Sequence, residues 1–210
     1  MGVSIHYRGK MADISTIDVL CEEMALVADK MGWTCTRLDD DWSKPADASI
    51  EVTEKGSQIT GHLALKGIAF SIHPKCESLR FFFDAAGNLC DPVSMTLICE
   101  GALKPEDVWI AVKTQFSGPE THIWIVGLLK YIQEHYLPGL EVRDEGEFWE
   151  TGNHEMLKEK MNLINDKITI ISSELSRVTG SYLEKFSAEE LASMIEGLLA
   201  GKFDEEGGEK

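Results

Sequence analysis

The sequence lacks a long apolar run. Its longest, residues 123–129, is far shorter than the ~20 residues that a membrane-spanning helix needs. The amino-terminal residues also lack the apolar stretch and the small-residue cleavage site of a secretory signal. An N-myristoylation signal would need Ser or Thr at position 6, where the chain has His6. We therefore expect neither export nor a membrane anchor.

Basic runs are also missing. The chain has 20 Lys and Arg against 36 Asp and Glu, which gives a net charge of −16. Nucleic-acid affinity depends on basic side chains that neutralise phosphates, and anionic membrane surfaces attract basic segments for the same reason. We therefore expect no nucleic-acid partner and no membrane partner, whereas a basic protein partner or a bound cation would suit this charge.

Motifs that name a reaction are absent. The sequence contains no G-x-S-x-G nucleophile elbow, no P-loop, no G-x-G-x-x-G after a strand and no H-E-x-x-H pair. We therefore predict no cofactor, although the residue types leave a divalent metal open. A non-enzymatic function is favoured over an enzymatic one.

The cysteines do not form metal-binding pairs. Cys21, Cys35, Cys76, Cys90 and Cys99 are odd in number and include no C-x-x-C spacing. This pattern disfavours a disulfide framework and an all-cysteine zinc site. Cys21 and Cys35 occupy positions where apolar residues are expected, so we predict that both are buried. A reducing compartment, the cytoplasm, is the simplest location.

Residues 3–42 show the pattern of a strand, a helix and a second strand. Apolar residues alternate over residues 3–8, and then recur every three or four positions over residues 14–31. Gly32 follows as a C-terminal cap, and alternation returns over residues 33–38. The spacing predicts a β-α-β unit.

Residues 48–90 have the pattern of an antiparallel β-meander. The sequence predicts a tight hairpin about Lys66-Gly67 and a further strand near residues 79–84. Asp91 followed by Pro92 then favours a short helix, with a strand as the alternative.

The opening pattern returns over residues 108–149. Alternation from Val108 leads to an apolar helix over residues 120–137 and then to a strand. Equivalent positions of the two units are Val3 and Val108, Ile5 and Ile110, Gly32 and Gly139, and Trp42 and Trp149. This agreement indicates an internal repeat, although any two strand–helix–strand units share such a pattern. We predict an α+β domain over residues 1–152, with an antiparallel or mixed sheet built from two β-α-β units and a β-meander. C-terminal helices follow this domain.

Residues 153–201 are predicted to be helical. One face carries a heptad seam made of Leu157, Met161, Ile164, Ile168, Ile171, Leu175 and Val178. Such a seam predicts a homodimer interface, or equally a helix that covers its own domain, because three heptads do not separate the two periods. Ser187 and Glu190 cap a second short helix that ends at Gly201. Residues 202–210 are expected to form a disordered acidic tail.

A polar cluster is predicted on the solvent face of the meander. In the predicted hairpin register, this face carries His62 and His73. Arg80 and Asp84 join them if the next strand turns its phenylalanines inward, and Cys76 lies in the connecting loop. His62, His73, Cys76 and Asp84 are metal-ligand types, and all five are candidates for hydrolase-type catalysis. The alternative is an ordinary solvated sheet face, since a register error of one residue would separate them.

Five tryptophans suggest a different site. Trp33, Trp42, Trp109 and Trp149 lie near the strands of the two units, and Trp124 lies in the second helix. The first four are candidates for lining a cleft between the units, where a small amphipathic ligand could bind. The alternative is ordinary core and strand-edge packing.

The sequence therefore supports three functional hypotheses. The first is a non-catalytic cytoplasmic adaptor or regulatory protein that acts through protein contacts, with itself or with a partner. The second is a metal-binding protein or hydrolase-type enzyme that uses the polar cluster. The third is a small-ligand-binding protein with a tryptophan-lined cleft.

Overall fold

The computed structural model describes residues 2–53, 56–179 and 190, and for residues 170–179 it describes the backbone only. The strands are Ser4–Arg8 (β1), Thr34–Asp39 (β2), Ser49–Thr53 (β3), Gly56–Thr60 (β4), Lys66–Ser71 (β5), Leu79–Phe83 (β6), Ile110–Lys113 (β7) and Glu141–Asp144 (β8). The helices are Ile17–Met31 (α1), Pro92–Cys99 (α2), Pro119–His135 (α3), Phe148–Thr151 (α4) and His154–Thr179 (α5). The predicted α+β class is confirmed. None of the described helices is long and apolar enough to cross a membrane.

The strands form three antiparallel sheets. Their strand orders are β7-β1-β8, β2-β5-β6 and β3-β4. Because β7 and β8 both run antiparallel to β1, they are parallel to each other on its two sides. The main hydrophobic core joins both three-stranded sheets to α1 and α3.

The two predicted β-α-β units differ in the fold. In the second unit, β7 and β8 are linked by α3 and flank β1, which is a split β-α-β arrangement. In the first unit, β1 and β2 lie in different sheets, so the prediction of a simple unit there is wrong. The reason is that both edges of β1 are occupied by β7 and β8, so β2 pairs with β5 instead. An internal repeat is not confirmed.

The predicted hairpin about Lys66-Gly67 is wrong. Both residues lie inside β5, which pairs with β2 on one edge and with β6 on the other. Gly67 is required there for another reason: a Cβ at this position would lie 2.0 Å from the carbonyl oxygen of Phe81. The glycine allows a close approach between neighbouring strands rather than a turn.

The predicted capping residues end α1 and begin α2 in the structure. Gly32 ends α1 in the left-handed conformation, with φ of 68°, as predicted for a C-terminal cap. At the start of α2, the Asp91 carboxylate accepts hydrogen bonds from the backbone N–H groups of Val93 and Ser94. The helical alternative for residues 92–99 is therefore confirmed.

The two cysteines predicted to be buried have different environments. Cys21 lies in the core on α1, as predicted. Cys35 is exposed, so that prediction is wrong. Cys35 lies on β2, the edge strand of its sheet, where all six residues are exposed or half-buried.

The first half of α5 packs on its own chain. Leu157 and Met161 are buried in a cluster with Val3. The side-chain amide of Gln115 donates to the Met161 carbonyl at 2.9 Å and to Asn165 Oδ1 at 3.0 Å. These contacts agree with the covering-helix alternative for this part of the seam.

The rest of the seam is described less fully. Ile164 packs partly against the same cluster, and Ile168 is 6% exposed. The side chains of Ile171 and Leu175 lie outside the described residues. So do the predicted tail over residues 202–210 and, apart from residue 190, the predicted second helix that ends at Gly201. The homodimer stays a prediction.

Candidate interaction groove

The histidines of the predicted polar cluster are engaged locally. His62 follows β4, and its Nε2 lies 3.0 Å from the Asp41 carbonyl oxygen, while its backbone N–H donates to the Asp47 carboxylate. His73 lies in the loop after β5, where its Nδ1 accepts a hydrogen bond from the Lys75 backbone N–H. The two rings belong to separate loops and have separate partners.

The other three members also have structural contacts. The Cys76 thiol donates to the Lys113 carbonyl oxygen at 3.4 Å, and burial raises the pKa of this thiol to about 11. Arg80 lies in the middle of β6, and Asp84 accepts hydrogen bonds from backbone N–H groups of the turn that follows. Among the side chains that the structure describes, no group of three or more from His, Cys, Asp and Glu is placed to hold a metal ion. The cluster depended on a hairpin register that the sheet does not adopt.

Trp42 and Trp149 contribute to packing rather than to a common cleft. Trp42 Nε1 donates to the Ala64 carbonyl oxygen at 2.8 Å, and the Lys66 ammonium lies 5.3 Å from its ring centroid. Trp149 packs partly against the main core, with the Lys130 ammonium 5.4 Å from its ring centroid. Both rings therefore have cation–π partners in their own chain.

Trp109 lies between two arginines. The guanidinium carbons of Arg8 and Arg143 are 4.6 Å and 4.3 Å from its ring centroid. Arg8 also pairs with Glu141 at 2.9 Å, which fixes this group across neighbouring strands of one sheet. Trp109 is therefore occupied by its own chain and does not line an open cleft with Trp33.

Trp33 and Trp124 line an apolar groove between α1 and α3. Its cavity volume is about 420 Å³. The lining side chains are those of Val27, Met31, Trp33, Ile123, Trp124, Leu128 and Tyr131. Trp33 was among the predicted ligand-binding residues, whereas Trp124 was not. We call this feature the α1–α3 groove.

Helix α3 forms the groove because it is apolar on more than one face. Ile125, Leu129 and Ile132 point into the core and are fully buried. Trp124 and Leu128 follow the same three- and four-residue spacing one position earlier, so they lie beside the buried stripe. Trp124 is 56% exposed, which leaves a large apolar surface in contact with water. This double stripe is the sequence signal that could have located the groove.

Gly127 leaves open space in the α3 wall of the groove. It lies inside the helix, and a Cβ at this position would meet no atom within 4 Å. Glycine inside a helix costs about 1 kcal/mol relative to alanine. Nothing in the described chain requires glycine here, so the open position is available to a group that approaches α3 closely.

A carboxylate lies beside the groove. The hydroxyl groups of Tyr131 and Tyr136 donate to the two carboxylate oxygens of Glu23, which ties α1 to α3. The bonds from Tyr131 and Tyr136 lower the pKa of Glu23, and the bond to Glu23 together with burial raises the pKa of Tyr136 to about 12. Because the ring of Tyr131 lines the groove, this negative charge is held at the groove's edge.

Sequence reasoning missed a buried polar network at the start of α3. His122 Nδ1 lies 2.8 Å from Thr114 Oγ1, and His122 Nε2 lies 3.0 Å from Asp144 Oδ2. Asp144 also accepts hydrogen bonds from the backbone N–H groups of Gly146 and Trp149. The His122 and Asp144 side chains are fully buried.

The charge state of Asp144 follows from these contacts. Burial alone would raise the pKa of Asp144, but the hydrogen bond and charge of His122 and the two backbone N–H groups outweigh it and lower the pKa. The network resembles an acid–base triad in composition. It is closed to water and joins β7, α3 and the end of β8, so its evident role is structural.

Comparisons with known proteins leave the groove and the charge distribution as the basis for function. No protein-family model, curated protein or solved structure matches the chain.

Proposed function

We propose that this protein is a non-catalytic adaptor or regulatory protein that holds an amphipathic segment of a basic partner protein in the α1–α3 groove. The observation that carries the proposal is the groove itself, an apolar cavity of about 420 Å³ lined by the half-buried Trp33 and the exposed Trp124. Exposed apolar surface of this kind costs free energy in water and is typical of interaction sites.

The groove has the features of a peptide-binding surface. It lies between two helices, and its open position at Gly127 allows a partner backbone or side chain to come close to α3. Amphipathic helices bind such grooves by inserting apolar residues spaced three and four positions apart. Tryptophan is enriched among the residues that contribute most to binding, which makes Trp124 the expected centre of the interface.

The charge of the chain favours a basic partner. A net charge of −16 attracts cationic proteins and repels anionic ones, and it raises association rates at low ionic strength. The Glu23 carboxylate adds a fixed negative charge at the groove's edge. An apolar segment flanked by lysine or arginine would match both features.

The buried titratable groups outside the groove support a non-catalytic function. The candidate triad of Thr114, His122 and Asp144 is buried and internally hydrogen-bonded. Burial raises the pKa of the Cys21 thiol to about 11 and that of the Cys90 thiol to about 12, which leaves little of the reactive thiolate at neutral pH.

A defined peptide tests the proposal. We would titrate the full chain by calorimetry with a helical peptide of about 14 residues made of leucine and lysine, with leucines on one face. We expect saturable binding. Trp124→Ala should lower the affinity by about tenfold, and Gly127→Leu should also lower it because the leucine side chain fills the groove. Leu163→Ala is the matched control because Leu163 is exposed on α5, outside the groove.

Two outcomes would contradict the adaptor proposal. One is no binding of the peptide to a folded chain. The other is binding that Trp124→Ala and Leu163→Ala weaken equally, because a contact spread over the whole acidic surface would respond in that way.

A small amphipathic ligand is the second candidate. The observation that favours it is the cavity volume, since pockets for small ligands range from roughly 300 to 1,000 Å³. A neutral dye such as N-phenyl-1-naphthylamine distinguishes this candidate. The small-ligand function would be favoured if the dye fluorescence saturates, Gly127→Leu abolishes it, and the wild-type chain does not bind the peptide.

A further inference from the structure

We propose that Glu23 is a specificity-determining residue that binds a cationic group of the segment held in the α1–α3 groove. This inference rests on the proposed function, because it assigns a chemical class to the occupant of the same groove. The expected ligand has an apolar anchor between α1 and α3 and a lysine or arginine side chain that reaches the Glu23 carboxylate.

The position of Glu23 supports this role. Glu23 lies one helical turn before Val27 on α1, and side chains four residues apart are neighbours on a helix surface. On the other wall, the Tyr131 ring lines the groove while its hydroxyl donates to Glu23. A ligand that covers Val27 and Tyr131 therefore brings its next polar group to this carboxylate.

The carboxylate is held in a fixed orientation. Each of its two oxygens accepts one tyrosine hydroxyl, from Tyr131 and from Tyr136. An ionised carboxylate has about four acceptor positions, so further positions stay open to a donor from outside. A group that is already oriented loses little entropy when it binds, and an arginine or lysine hydrogen bond to it is charge-assisted.

In the part of the chain that the structure describes, no lysine or arginine side chain pairs with the Glu23 carboxylate. Other carboxylates are paired: Glu141 with Arg8, and Glu147 with Lys160. The groups that act on Glu23 are the two tyrosine hydroxyls and the neighbouring His135, whose ring stacks on Tyr131 with centroids 4.1 Å apart. An ionised carboxylate with tyrosine donors and no lysine or arginine partner is suited to a cation supplied by a ligand.

A purely structural role for Glu23 is the alternative. In that case its function would be to tie α1 to α3 through Tyr131 and Tyr136. Glu23→Gln separates the two roles, because the glutamine amide has nearly the same shape and can still exchange hydrogen bonds with both hydroxyls. The substitution removes the charge and leaves the tie largely in place.

The test compares two peptides on the full chain. One is the leucine–lysine peptide, and the other has the same leucines with glutamine in place of lysine. Glu22→Gln is the matched control, because Glu22 is exposed on the same helix and its substitution changes the net charge equally.

We expect Glu23→Gln to lower the affinity for the lysine peptide by about tenfold. Its affinity for the glutamine peptide should stay within about twofold of the wild-type value. Glu22→Gln should change neither affinity by more than about twofold. The urea midpoint of Glu23→Gln should stay close to that of the wild type, which shows that the tie between the helices survives.

The possible failures are distinguishable. One result is that Trp124→Ala weakens the binding of both peptides, while Glu23→Gln and Glu22→Gln change the two affinities equally. In that case Glu23 does not select a cation, and the groove function stands. If Trp124→Ala changes the affinity for neither peptide, the groove function is contradicted, and so is the role of Glu23. A lower urea midpoint in Glu23→Gln with unchanged peptide selectivity would assign Glu23 to the structural role.

Discussion

At the scale of single residues, Gly127 should lower the stability of α3. Gly127→Ala should raise the free energy of unfolding by about 1 kcal/mol, since alanine is the better helix former and its Cβ meets no atom within 4 Å. Urea unfolding measures the change. Gly152→Ala is the control: Gly152 has φ of 61°, so alanine there should be destabilising. Equal effects at the two glycines would contradict the assignment of Gly127 to an open helical position.

Tyr136 reports on the contact with Glu23. Its pKa is raised from 10.0 to about 12, so the contribution of this contact to stability is complete below pH 10 and is lost as the pH rises through about 12. Ultraviolet absorbance of tyrosinate should show this late titration in the wild type. In Glu23→Gln the midpoint should move back towards 10, because the negative charge is gone. An unchanged midpoint would mean that Glu23 does not act on Tyr136.

At the scale of secondary-structure elements, α5 should stabilise its own domain. Leu157→Ala should cost about 2 to 5 kcal/mol, because Leu157 is buried against Val3 and Met161. Leu163→Ala, at a position that is 55% exposed, should cost little. Urea unfolding at several protein concentrations measures both effects.

The same experiment tests the homodimer prediction. If Leu157 acts only within one chain, its effect does not depend on protein concentration. A midpoint that rises with concentration in the wild type, and no longer does so in Leu157→Ala, would instead place this residue in a dimer interface.

The buried pair of His122 and Asp144 ties α3 to the end of β8. Asp144→Ala should cost about 1 to 3 kcal/mol, since it leaves Nε2 of the buried His122 without a hydrogen-bond partner. The folded-state pKa of Asp144 is lowered, so its contribution is present above the ordinary carboxylate pKa and is lost as the pH falls through the lowered value. In Asp144→Asn, acid unfolding should lack the loss of stability that comes from protonating Asp144. An identical acid transition in this variant and in the wild type would contradict the contribution of Asp144.

Local periodicity identified elements, but it did not identify their partners. The strand and helix over residues 3–31 and the helix after Asp91 follow from alternation, apolar spacing and capping residues. The pairing of β2 with β5 depends on the fact that β1 is already flanked on both sides, which no local pattern records. Gly67 carries the local signal of a turn, because sequence does not distinguish a glycine in a turn from one that permits close contact between strands.

The candidate site was harder to predict because it depends on tertiary contacts. Trp33 is a predicted ligand-binding residue, but its neighbour in the groove, Trp124, lies 91 residues further along the chain. His122 lies in a strongly apolar helix, and only its contacts with Thr114 and Asp144 explain how a polar ring is accommodated there.

At the scale of the whole molecule, the proposed function combines the apolar α1–α3 groove with the acidic charge of the chain. The net charge of −16 would draw a basic partner towards the protein, while the α1–α3 groove would supply short-range apolar contact. The long-range part should weaken with salt, since surface charges are screened over about 10 Å at 0.1 M ionic strength. The apolar part should persist, so added salt should reduce association rates more than it changes which residues are contacted.

The most direct measurement is the response of the five indole N–H signals in a nitrogen–proton correlation spectrum during titration with the leucine–lysine peptide. Trp→Phe variants assign each signal. We predict that the signals of Trp33 and Trp124 shift, because both rings line the groove, while those of Trp42, Trp109 and Trp149 stay in place. No shift at Trp33 and Trp124 under saturating peptide, or shifts confined to the other three, would contradict the assignment of the α1–α3 groove as the interaction site.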